Sequence, residues 1–158
     1  MTQSSTHWRK GITLLSCLLW MVIMIQFSTQ AWSGARTYSL LEHLLQWGSP
    51  PIAAQLTAER MAGLNYLVRK MAHITEYGLL TILAYGLGRL GFQQPRGLVL
   101  PLAWGGAALF AITDEVHQWF VPGRGASPLD VGIDLLGASL AVGLIWAVSL
   151  LRSGPQVH

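Results

Sequence analysis

Charge is the scarcest property of this sequence. Ten Lys or Arg and seven Asp or Glu make only 11% of its 158 residues charged, where a soluble domain carries about 25%. With 52% hydrophobic residues and a mean hydropathy of +0.44, the composition is that of an integral membrane protein. Cysteine is nearly absent: Cys17 is single, so no disulfide can form within the chain, and its place in an apolar run reads as a small packing residue. The sequence shows no basic patch either. Its cations are scattered at helix ends, so the net charge of +3 argues for topology signals and against a nucleic-acid partner. Internal repeats and low-complexity segments are missing, and the length allows one domain, 1–158.

What is present is a series of long apolar runs. Four read as membrane-spanning helices, at about residues 11–27, 71–90, 98–118 and 129–151. The expected fold is therefore all-α, a polytopic membrane protein with four transmembrane helices and one or two interfacial helices in its first long loop. Glycines recur in the spans (Gly86, Gly88, Gly105, Gly106, Gly137), where they let helix backbones approach closely in lipid. In the loop, Leu40, Leu41, Leu44, Leu45 and Trp47 predict a short interfacial helix ended by Pro50-Pro51. Residues 52–68 resume helical character and lead into the second span. A signal peptide is the alternative reading of the N-terminus, with Ser33-Gly34-Ala35 as a weak cleavage site. The length of the apolar run favours an anchor.

Lys and Arg near helix ends set orientation. With the N-terminus inside, Arg9, Lys10, Arg89, Arg96 and Arg152 fall on the inner face, and Arg36, Arg60, Arg69, Lys70 and Arg124 on the outer. The raw count is balanced. Setting aside the long-loop arginines and those in the polar cluster places both termini in the cytoplasm. In either orientation, the end of span one, the start of span two, the end of span three and the start of span four share one membrane face.

The unusual polar residues all lie at those four ends. Charged side chains inside a span are costly and mark functional sites by default. On span two, Lys70, His73 and Tyr77 share one face, and Arg69, His73 and Glu76 form a second stripe. Headgroup contact is an equal reading for Arg69. On span three, Asp114, His117 and Gln118 share a face, with Glu115 about 100° away. Two adjacent carboxylates in lipid require cationic or hydrogen-bonding partners. Trp119 and Phe120 suit an interfacial aromatic belt. Arg124, between two glycines, can reach back to the carboxylates or forward to an anionic headgroup. Ser127, Pro128 and Asp130 resemble a helix start with Ser127 as cap and Asp130 as the acidic member of a capping box. Asp134, one turn deeper, has no capping role. The pairs His73-x-x-Glu76 and Asp114-x-x-His117 are weak metal motifs, and no metal is assigned.

In these motifs the chain resembles the VanZ-like family of small bacterial membrane proteins. The resemblance rests on Gln26-Phe-Ser-Thr-Gln30, Arg69-Lys-Met-Ala-His-Ile-Thr-Glu-Tyr77, Asp114-Glu-Val-His-Gln118, Val121-Pro-Gly-Arg124 and Ser127-Pro-Leu-Asp-Val-Gly-Ile-Asp134. It implies a multi-pass protein of the bacterial cytoplasmic membrane, an envelope role, and a link to glycopeptide (teicoplanin-type) tolerance, with no settled activity. It also implies that His73, Glu115, Gln118, Arg124, Asp130 and Asp134 form the family's polar signature.

Three functions fit these residues. One is an envelope enzyme acting on a lipid-linked or glycolipid substrate near the extracytoplasmic face. Its candidate catalytic groups are His73, Glu76, Asp114, Glu115, His117 and Asp134, with Lys70, Gln118, Arg124 and Asp130 binding the ligand. No nucleophile motif accompanies them. A second is a non-catalytic binder of lipid or lipophilic antibiotic. The third is a proton- or cation-coupled transporter, disfavoured by the few spans and the lack of an inverted repeat. The expected partners are the lipid bilayer and such a ligand. Neither cofactor nor oligomeric state is specified.

Overall fold

The computed structural model describes residues 3–29, 33–121 and 125–152, with side chains from residue 7 onward. Among these residues every regular element is helical. α1 spans Gln3–Phe27, α2 Gly34–Gly48, α3 Pro50–Gln55, α4 Ala58–Gly86, α5 Arg96–Trp119 and α6 Pro128–Arg152. A π-helical turn, Leu87–Gly91, extends α4.

Three of these segments are long and apolar enough to cross a membrane: His7–Phe27, Arg96–Trp119 and Pro128–Arg152. α4, which contains the expected second span, is not among them: its 29 residues carry Glu59, Arg60, Arg69, Lys70 and Glu76, and its longest uncharged run is residues 77–86. The short helix expected in the loop is α2, which ends at Gly48 just before Pro50-Pro51. The two prolines also open α3, proline being tolerated in a first turn whose N–H groups need no partner. The helix foreseen over 52–68 is broken at Leu56-Thr57. Thr57 caps α4 by accepting a hydrogen bond from Arg60 N at 3.3 Å, so residues 58–68 are continuous with the residues that follow.

α4 is the hub. α1 and α5 pack against it antiparallel, and α6 runs beside it in parallel, because Lys70 meets Asp130, His73 meets Asp134 and Gly78 lies against Gly137. The packing is inverted relative to a water-soluble bundle. Small residues form the interior, Ala103, Ala107 and Ala111 on α5 and Gly137, Ala138 and Ala141 on α6. Large apolar side chains such as Leu15, Leu19, Leu109, Leu140 and Leu144 point outward. In lipid, outward apolar surface costs nothing, and close backbone approach supplies the attraction. Of the recurrent glycines, Gly137 and Gly88 make such approaches, while Gly86, Gly105 and Gly106 have no neighbour within 4 Å of a Cβ position. The alanine stripe of α5 does that work instead.

α2 lies beside α4 and α3 lies against α2, with no residue of either buried. α2 presents Leu40, Leu44 and Trp47 outward, and its first turn is tied down where Asn65 Nδ2 donates to Gly34 O at 3.0 Å.

Candidate functional site

The two stripes on α4 diverge from His73. Lys70 and His73 turn toward α6. Lys70 Nζ pairs with Asp130, and His73 Nδ1 lies 3.0 Å from Asp134 Oδ1. The spacing explains the match: three residues on α4 against four on α6 keep both pairs on the facing sides of parallel helices. Asp134 is 1% exposed. The other stripe, Arg69, His73 and Glu76, faces α1, α2 and α5.

Two adjoining cavities meet at this point. The first, about 220 Å3, has walls from Met24, Phe27, Val68 and Ala72, with Ser28, Thr37, Glu76, Asp114 and Gln118 among its polar groups. The second, about 280 Å3 and more polar, is bounded by Gly34, Asn65, Tyr66, Lys70, Gly125 and Asp130. Arg69, His73 and Gln118 line both. Arg69 forms neither a hydrogen bond nor an ion pair among the described residues, unlike Lys70 beside it. Its Nη1 packs over Gly34, 2.5 Å from where a Cβ would stand. Ser28 is 3% exposed, and its Oγ has no hydrogen-bond partner among the described residues. The Oδ1 of Asn65 is likewise buried and unpartnered.

α5 divides its polar residues differently from the sequence expectation. Its buried direction runs through Ala111, Glu115 and Gln118. Asp114 flanks that direction and accepts from Gln118 Nε2 at 3.0 Å. At about 100° per residue His117 lies about 120° away, and it is exposed. Glu115 does not enter the cleft. Its carboxylate accepts from the Ser127 backbone N–H, and it borders a separate apolar groove with Trp119, Phe120 and Val131.

That contact revises the reading of the α6 start. Ser127 Oγ accepts from Leu129 N at 3.2 Å, as a cap should. The acid that reaches back to the cap's own N–H is Glu115 from α5, and the Asp130 expected there is engaged with Lys70. Asp130 therefore joins α6 to α4 and is not consumed by capping.

Of the ten sequence-derived site residues, Lys70, His73, Glu76, Asp114, Gln118, Asp130 and Asp134 converge. Glu115 and His117 stand apart, and Arg124 lies outside the described residues. Glu76 also holds α1, through Trp20 Nε1 donating to its backbone oxygen at 3.0 Å. Sequence reasoning missed Ser28, Thr37 and Asn65 and left Arg69 evenly balanced. Only the Arg69-Lys70 doublet hinted at a spare cation, and nothing local indicated that α2 would fold against α4. Among the described residues, no group of three or more His, Cys, Asp or Glu side chains is placed to hold a metal ion.

Chemically, the arrangement offers a carboxylate-held imidazole and, among the described residues, an unpaired guanidinium and unsatisfied hydroxyl and amide groups, beside an apolar wall. Comparison with curated proteins gave no match, nor did comparison with solved structures. The VanZ/LLP1 family model matches residues 13–151, and the chain belongs to that family.

Proposed function

We propose that the protein binds an anionic lipid-linked or glycolipid ligand of the bacterial cell envelope in the cleft around His73. Through that ligand it contributes to envelope integrity or to tolerance of teicoplanin-type glycopeptides. One observation carries the reading: Arg69 has no anionic partner among the described residues and stands where an apolar cavity meets a polar one. A ligand with an anionic head and an apolar tail satisfies both, since guanidinium groups pair with phosphate or carboxylate through parallel hydrogen bonds. Ser28 Oγ and Asn65 Oδ1 supply further polar contacts.

In this reading α4 is the fourth span. From Lys70 to Gly91 it covers about 30 Å at ~1.5 Å per residue, the thickness of a bilayer core. It runs beside α6 with Lys70 and His73 paired. Both termini are then cytoplasmic, and the cleft opens to the extracytoplasmic leaflet of the cytoplasmic membrane.

A second reading, acid–base catalysis on the same ligand, is favoured by the His73–Asp134 contact. With Nδ1 donating to Asp134, Nε2 is the nitrogen left to accept a proton. The buried carboxylate orients the ring and stabilises its charged form.

Native mass spectrometry of the gently solubilised protein tests the proposal, comparing wild type with Arg69→Gln and His117→Gln. We expect a co-purifying lipid-linked or glycolipid ligand, distinguished by mass from bulk phospholipid, in wild type and His117→Gln and its loss in Arg69→Gln. A wild type without such a ligand, or equal retention of it in all three, would overturn the proposal.

A further inference from the structure

The end of the molecule opposite the cleft carries a second, differently built feature. Every acidic residue of the chain lies at one of positions 42, 59, 76, 114, 115, 130 and 134, so residues 1–41, 77–113 and 135–158 contain none. Those acid-free stretches include Arg9, Lys10, Arg89, Arg96 and Arg152. They are dispersed in sequence, but contacts bring Lys10, Arg89 and Arg96 to one end of the helices. Lys10 Nζ lies over the Phe92 ring, 4.5 Å from its centroid. α1 closes on the π turn so tightly that a Cβ on Gly91 would come within 2.7 Å of Thr13 Oγ1 and 3.4 Å of Lys10 Cα. Arg89 Nη1 donates to Gln94 O at 2.6 Å, two residues before Arg96. Arg96 Nη1 donates to Ser149 Oγ, one turn before Arg152, and Arg96 Nη2 is buried with no partner among the described residues.

Gln94, the partner of Arg89, borders an apolar slot of about 220 Å3 between the π turn and α5, lined also by Ala84, Leu87, Phe92, Val99 and Leu102. Phe92 and Leu102 at its rim are exposed. Gly88 packs directly on Val99, its absent Cβ leaving 2.5 Å to Val99 Cγ1.

We infer that this end is a binding site for an acidic phospholipid of the adjoining leaflet, its phosphate held by Arg89 and Arg96 and an acyl chain lying in the slot. Charge complementarity selects the occupant. A cluster of cations without a single acid beside it attracts an anion, and basic pockets between membrane helices take acidic lipid headgroups. The apolar slot then selects a lipid over a free anion. The site is separate from the cleft around His73 and does not depend on the function proposed there.

The test reconstitutes the full chain in nanodiscs holding equal amounts of phosphatidylglycerol and phosphatidylcholine and reads retained lipid by native mass spectrometry. We expect wild type to retain phosphatidylglycerol preferentially. The Arg89→Gln, Arg96→Gln double variant should retain it about 30-fold more weakly, from about 1 kcal/mol per interfacial cation. Ala84→Leu, which fills the slot and leaves every charge in place, should also weaken retention, and His117→Gln should not. Raising salt on unaltered protein, a readout independent of any variant's folding, should release the lipid. Equal retention of the zwitterionic lipid, salt-insensitive retention, or retention in the double variant equal to that of wild type would overturn the inference.

Discussion

Gly137 of α6 approaches Ile74 of α4 so closely that a Cβ on the glycine would stand 2.3 Å from the Ile74 carbonyl oxygen. This contact lies one turn below the His73–Asp134 pair and sets the distance and register at which α6 presents both its aspartates. A methyl group there meets backbone, which cannot swing aside as a side chain could. We expect Gly137→Ala to destabilise the protein by about 1–3 kcal/mol, the range for overpacking, and to weaken ligand retention in the cleft. Gly105→Ala and Gly106→Ala, with open space around them, should be close to neutral. Thermal unfolding in detergent micelles measures all three, and an unchanged midpoint for Gly137→Ala would refute the packing argument.

Lys70 and Asp130 form the outermost rung between the same helices, half-buried at their side chains. Asp130→Asn leaves the ammonium without its counter-charge and should cost about 1–3 kcal/mol. Exchanging the two, Lys70→Asp with Asp130→Lys, should recover much of that loss if the pair acts as a link between α4 and α6. Failure of the exchange to recover stability beyond either single variant would show that the two residues act separately.

Glu115 supports the start of α6 from α5, through the Ser127 N–H. Glu115→Ala should loosen that helix start by about 1 kcal/mol, as loss of a cap does, and leave ligand retention unaltered. Hydrogen exchange resolved at Ser127 and Leu129 provides the measurement. A variant that loses ligand while keeping slow exchange there would place Glu115 in the site after all.

His73 and His117 are separated by the fold although either could serve as a base by residue type. In a strain lacking the gene, we expect His73→Ala and Asp134→Asn to fail to restore glycopeptide tolerance, and His117→Ala to restore it. With a turnover assay in hand, the acid–base reading requires a loss of about 10²–10⁴-fold in His73→Ala. A binding role alone would show as weaker retention, and Asp134→Asn should reproduce much of the effect.

The sequence expectation came closest where the cause is local. The long charge-free runs of α1 and of most of α5, and the apolar body of α6, announce helices suited to lipid. Seven of ten candidate residues converge because the three-and-four spacing on α4 and the four-residue step from Asp130 to Asp134 place them on facing sides. α4 falls short of the composition of a span because of the charges it carries, and the pairing of Lys70 with Asp130 on α6 is not visible within its own residues. His117 was misplaced because helical periodicity gives angles between residues but not which angle faces the core.

By itself the sequence determined what each segment is and which residues share a level and a face, since apolar content and the 3.6-residue period act over neighbouring residues. Its motifs also sufficed to place the chain in its family. Only the tertiary structure decided who partners whom. Asp130 goes to Lys70, Glu115 takes the N–H of Ser127, Arg69 is left without a partner among the described residues, Lys10 lies over Phe92, and Arg96 reaches Ser149. Those pairings depend on helix distance and register, fixed by contacts such as Gly137 on Ile74 between residues far apart in the chain. No local pattern specifies such a contact.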